Sequence, residues 1–227
     1  MILAVLSLGG ISYALLQSLV VPALPEIQAS LHTSESAVGW ILTAYLLSAS
    51  VATPIIGRLG DMYGKERLLI LVLLGLALGT LISAIASSLW LMVAGRVVQG
   101  AGGGIFPLAF SIIRDEFPSE RVPGSIGLVS SLLGVGGGAG VVLAGVITQN
   151  LSYHWLFWFP LALIVVTVAL TRRYIPESPV KTPAEINYRA AGLMTVGLSA
   201  VLLAITETST WGWGSARTLG LLAIGML

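Results

Sequence analysis

Between residues 57 and 67 the chain reads Gly57-Arg58-Leu59-Gly60-Asp61-Met62-Tyr63-Gly64-Lys65-Glu66-Arg67, with five charges and three glycines in eleven positions. On either side, residues 36–57 and 68–95 contain no Asp, Glu, Lys or Arg. A bilayer core about 30 Å thick is crossed by about 20 helical residues rising 1.5 Å each. Each uncharged run is therefore one membrane span. The ten residues from Arg58 onward are expected to form a tight polar turn between them, with glycine where the backbone is left-handed or crowded.

The same alternation continues along the chain. Residues 1–25, 97–113, 122–171 and 190–206 are also free of charge. The longest run divides at the polar patch Gln149-Asn150-Leu151-Ser152-Tyr153-His154, and Ser87-Ser88 divides the stretch before Arg96. Seven helices result, near 1–24, 37–57, 68–87, 90–112, 123–148, 154–172 and 190–208, with an eighth starting near Ser215. These runs far exceed the 9–11 alternating residues of a barrel strand, so an all-α, polytopic membrane protein is expected. Composition agrees: 56% of residues are hydrophobic and 9% charged, against about 25% charged in soluble domains. A soluble domain, a disordered tail and a nucleic-acid binder are all excluded, and a net charge of +1 offers no surface for a polyanion. The absence of cysteine removes disulfides and thiolate chemistry. No span holds a paired His, Asp or Glu set, so no catalytic residue, metal site or cofactor is expected.

Basic residues set the orientation. Arg58, Lys65, Arg67, Arg114, Arg121, Arg172, Arg173, Lys181 and Arg189 all fall on one side of the expected spans, while Arg217 alone falls on the other. Short loops with this excess face the cytoplasm, which puts the amino terminus there too, in a cell membrane. The expected organisation is a six-helix bundle over 1–173, a polar, proline-bearing cytoplasmic linker over 174–189, and a further hairpin over 190–227. The hairpin's second helix is too short to cross, and the chain is expected to be the amino-terminal part of a longer protein.

Four places carry candidate chemistry. Asp61 can pair with its basic neighbours or sit at a positive helix amino end, although an ordinary basic loop has the same charge pattern. Arg96 is the one charge deep within a span. Isolated there it costs at least a few kcal/mol, so it needs a partner or a watery cavity, or backbone carbonyls in a purely structural role. Gln99, Gly100, Gly103 and Pro107 follow it at helical spacing. The fifth helix is rich in glycine, including Gly136, Gly140 and Gly145, which allows close helix packing and also loosens the helix. Tyr13 and Gln17 share a face of the first helix. Trp40 and Tyr45 lie on the second, Trp40 as an interface anchor.

The loop 57–67 strongly resembles the signature between helices 2 and 3 of the major facilitator superfamily. Residues 91–104, with Arg96, Gln99 and Gly100, look like its helix-4 motif, and Gly136, Gly140 and Gly145 resemble its helix-5 antiporter motif. Ala23-Leu24-Pro25-Glu26-Ile27 and Trp40-Ile41-Leu42-Thr43-Ala44-Tyr45 are similar to the multidrug efflux branch. Residues 189–213 resemble the additional central hairpin of its fourteen-helix drug:proton antiporters.

The resemblance implies a non-enzymatic secondary transporter in which two six-helix bundles rock about a central site, the second bundle supplied by a carboxyl-terminal half. Its partners would be a small amphipathic substrate, protons and the bilayer, with Gly57, Arg58, Asp61, Gly64, Lys65 and Arg67 as the cytoplasmic gating loop. Arg96, Gln99, Gly100, Tyr13 and Gln17 would serve coupling and the substrate cavity. The chain departs from the family pattern at Met62, Glu66, Val141 and Ala144. Leu16 stands where the efflux branch commonly carries an aspartate, and no acidic residue lies mid-span in the first six helices. Two other readings compete with multidrug export: transport of a defined anionic metabolite paired with Arg96, and a non-transporting membrane sensor on the same scaffold.

Overall fold

The computed structural model describes residues 1–177 and 188–225; most of the expected linker, 178–187, and the last two residues lie outside the described residues. Among the described residues, six helices are long and apolar enough to cross a membrane: α1 (Ile2–Ser30), α2 (Glu35–Tyr63), α3 (Lys65–Ala84), α4 (Leu89–Glu116), α5 (Val122–Asn150) and α6 (Trp155–Tyr174). Two shorter helices follow, α7 (Tyr188–Thr206) and α8 (Ala216–Gly225), joined through a single turn and Gly212 at φ +81. All described elements are helical.

The six spans follow the charge-free runs in order but overrun them. α1 continues through Pro22 and Pro25 to Ser30 for a length of 29 residues, about 43 Å. Charges mark where the hydrocarbon ends, not where the helix ends. The core with its interfacial layers is about 40–45 Å thick, and a helix satisfies its own backbone throughout.

The largest correction falls on the stretch 57–67. The expected ten-residue turn is a single residue. α2 stays helical to Tyr63, α3 begins at Lys65, and Gly64 alone breaks the path, at φ +117 and ψ 132. Long polar side chains at a helix end reach water without the backbone unwinding, so charge density there does not imply loop. Gly57 and Gly60 are helical and serve packing instead. A Cβ on Gly60 would strike Leu108 of α4, and one on Gly57 would lie 3.3 Å from Pro107.

α1 runs through the centre of the bundle, with Leu16, Leu19, Val20 and Ile27 fully buried. It packs along α5 and against α6, while α4 is held between α2 and α3 and α6 covers α3. α7 leans on α2, and α8 packs on α7. Ser34 and Ser88 cap the helices that follow them, accepting from the backbone amides of Ala37 and Leu91. α4 is α-helical over Leu89–Gln99 and Ile105–Glu116, with a 3-10 segment, Gly100–Gly104, between them.

Candidate functional site

Arg96 is fully buried between α2, α3 and α4. Its Nε donates to the carbonyl of Ile41 at 3.2 Å, and its Nη1 donates to Gln99 Oε1 at 2.7 Å. Its Cζ lies 4.1 Å from the centre of the Tyr45 ring, within cation–π range. Gln99 in turn donates from Nε2 to Thr80 Oγ1 at 3.1 Å, and Thr80 donates to the carbonyl of Leu76 at 2.6 Å. A chain of contacts therefore runs from α2 through α4 to α3. Three polar groups described in this region are buried without a hydrogen-bond partner: Arg96 Nη2, the Tyr45 hydroxyl and Ser83 Oγ, which lies against Gly95.

Glycine makes this approach possible. A Cβ on Gly100 would collide with Ser48 of α2, and one on Gly103 would lie 2.5 Å from Thr53 Oγ1. The 3-10 segment leaves carbonyls without their ordinary i+4 donors, and Ser48 Oγ donates to one of them, Val97 O, at 2.6 Å. Beyond this segment the rings of Tyr45, Tyr13, Phe106 and Phe110 form a ladder, with successive centroids 6.1, 5.9 and 6.0 Å apart. The structure thus brings Tyr13, Tyr45, Arg96, Gln99 and Gly100 into one neighbourhood. Gln17 is half-buried on α1 and makes no side-chain hydrogen bond to that group.

At the end of the bundle holding most basic residues, Lys65 is the hub. Its Nζ donates to Asp115 Oδ2 at 2.6 Å and lies 3.6 Å from Asp61 Oδ1. The Lys65 side chain is 7% exposed and that of Asp115 15%, against 49% for Asp61, so the stronger partner is Asp115 at the end of α4. Arg67 Nε lies 3.3 Å from Glu177 Oε2. The Glu177 carboxylate presses against Gly64, where a Cβ would strike it. Gly64 is thus required twice, by its φ and by this neighbour. Arg58 is exposed on α2.

Gly136 and Gly140 lie on the buried face of α5, against α1. A Cβ on Gly136 would sit 2.6 Å from Ala14 Cβ, and one on Gly140 would strike Ser18 Oγ. Ser18 Oγ lies 3.2 Å from Gly136 O across the interface, while its single proton has a nearer acceptor, Ala14 O at 2.9 Å, on its own helix. Gly145 faces open space, and the inward position beside it belongs to Ala144, which is fully buried.

The family profile of the Major Facilitator Superfamily matches residues 6–227. The chain belongs to the Major Facilitator Superfamily. Among curated members, Multidrug resistance protein 3 of Bacillus subtilis is 28% identical over 221 residues, covering 96% of the chain and 43% of that protein. An MFS-type transporter of Aspergillus terreus is 36% identical over 198 residues, 87% of the chain and 33% of that protein. The tetracenomycin C resistance and export protein of Streptomyces glaucescens is 28% identical, with 99% and 42% covered. The chain spans about 40% of the length of the curated relatives it matches. A solved human organic anion transporter shares the fold with a TM-score of 0.69 at 19% identity, covering 99% of the chain and 60% of its own. With six described helices long and apolar enough to cross a membrane, the chain is a multi-pass membrane protein of a transporter superfamily.

The sequence did not point to Thr80, Asp115, Glu177 or the Phe106–Phe110 pair. Asp115 carried one usable signal: it is a carboxylate at the end of a span, on the side of the membrane where basic residues gather.

Proposed function

We propose that the chain forms the amino-terminal bundle of an exporter of small amphipathic compounds, driven by proton exchange through alternating access. The observation that carries this reading is the pairing of an aromatic ladder with a sealed charge. Phe110, partly exposed at the end of a ladder whose Tyr13 and Phe106 rings are buried, offers a π face to an apolar, planar molecule, whereas the guanidinium of Arg96 is fully buried behind Tyr45. The relatives named for multidrug resistance and tetracenomycin C export support the same direction.

On this reading Arg96, Gln99, Gly100, Tyr13 and Gln17 belong to the cavity and its coupling machinery. Gly57, Arg58, Asp61, Gly64, Lys65 and Arg67 form the cytoplasmic gate, with Asp115 as its principal acid. Gly136 and Gly140 let α5 ride closely on α1, and Gly145 keeps its outer side small. Residues 1–173 act as one bundle, 174–189 as a cytoplasmic linker and 190–227 as an inserted hairpin; a second bundle completes the site. Proton coupling then needs a carboxylate from outside the middle of these six spans, since none is present there. The amino terminus faces the cytoplasm of the cell membrane.

The test uses the whole transporter in proteoliposomes with a trapped pH indicator. Ethidium, a planar cation, should stimulate proton flux, and an aromatic carboxylate of similar size should not. Flux stimulated only by the carboxylate would favour the anion reading, and flux stimulated by neither across a broad compound panel would favour the sensor.

A further inference from the structure

A guanidinium stays charged at any accessible pH, and Arg96 is sealed inside a membrane bundle. None of the ion pairs among the described residues involves it. Leu16, fully buried on α1, stands where an acid would be expected. The charge is met by neutral groups: the Ile41 carbonyl, Gln99 Oε1 and the face of the Tyr45 ring. Ile41 and Tyr45 are one turn apart on α2, so a single helical face supplies both a carbonyl dipole and a π cloud. Gln99 is held from the far side by Thr80.

We propose that Tyr45 is the positioning residue and counter-charge of Arg96, its ring standing in for a carboxylate. The negative face of the ring attracts a desolvated cation. Unlike a carboxylate, the ring keeps this attraction at every pH. The Tyr45 hydroxyl, buried without a partner, is not needed for the hold. The proposal rests on Arg96 being a working residue of the transport cavity.

Fluorination tests this cleanly, because it drains the ring's π charge while hardly changing its size. In the whole transporter, position 45 is replaced by Phe, by mono-, di- and trifluorophenylalanine, and by Leu. Ethidium efflux and the melting temperature of the purified protein are then measured. Tyr45→Phe should stay within about twofold of the native efflux rate, and Tyr45→Leu should lose roughly tenfold to thirtyfold. Both readouts should fall stepwise with each added fluorine. Melting that falls while efflux stays flat, together with native efflux in Arg96→Gln, would keep the Tyr45–Arg96 pair and sink the cavity role of Arg96. Readouts flat across the fluorinated series, or Leu equal to Phe, would overturn the proposal itself.

Discussion

Gly136→Ala adds one methyl where α5 lies close against Ala14 of α1. The new Cβ would stand 2.6 Å from Ala14 Cβ, where ordinary contact begins at 3.4 Å, so the helices must part by nearly 1 Å or bend. Overpacking of this kind costs about 1–3 kcal/mol. Gly137→Ala supplies an internal control one residue along, where a Cβ meets nothing within 4 Å. Alanine improves helix propensity by up to about 1 kcal/mol over glycine in both variants, so that gain cancels in the comparison. The difference between them should be about 1–3 kcal/mol, which corresponds to roughly 2–12 °C in melting temperature for a chain of this size. Tryptophan fluorescence of the purified protein, heated at one fixed rate because irreversible unfolding makes the midpoint rate-dependent, measures it. Adding Ala14→Gly to Gly136→Ala should recover most of the loss. If the two alanine variants melt together, α5 does not ride on α1 through Gly136.

Asp115→Asn leaves buried Lys65 without its closest acid and should slow efflux more than Asp61→Asn, whose side chain is half exposed; the opposite order of efflux rates would make Asp61 the principal partner. Removing one member of a buried pair costs about 3–5 kcal/mol, so Asp115→Asn should also lower membrane abundance. With no native cysteine, Ser119→Cys and Ser152→Cys test orientation. Both positions are exposed, and a membrane-impermeant thiol reagent applied outside whole cells should label 152 and spare 119. The reverse pattern would invert the topology.

The spans were legible because burying a charge in hydrocarbon is so costly that twenty residues without one, rich in apolar side chains, mark a helix that lipid can surround. Where helices end was not legible from charge, because Asp61 and Lys65 are compatible with helix as soon as their tips reach water. Only Gly64 needed a special backbone, and nothing in the sequence separates it from Gly57 and Gly60. Arg96 stood out as a lone intramembrane charge. Gln99 stood out beside it by helical spacing, but the Ile41 carbonyl and the Tyr45 ring meet it only through helix packing across tens of residues and carry no formal charge. The same holds for Gly145 and Ala144: the glycine motif was visible, but which of its members face α1 depends on the rotation of α5.

The 3-10 segment Gly100–Gly104 acts on α4 as a gear set between two shafts. Each of its five residues turns about 120° and rises about 2.0 Å, where an α-helix would turn about 100° and rise about 1.5 Å. The half of α4 carrying Phe106, Phe110 and Asp115 is therefore set about 100° ahead, and about 2.5 Å further along, than a continuous α-helix would place it relative to Arg96. Rewinding those five residues to α-helix would swing the rings off Tyr13 and carry Asp115 away from Lys65 in the same stroke. The aromatic ladder and the ion pair at the bundle's end thus share one mechanical phase, written in a run of four glycines and one alanine.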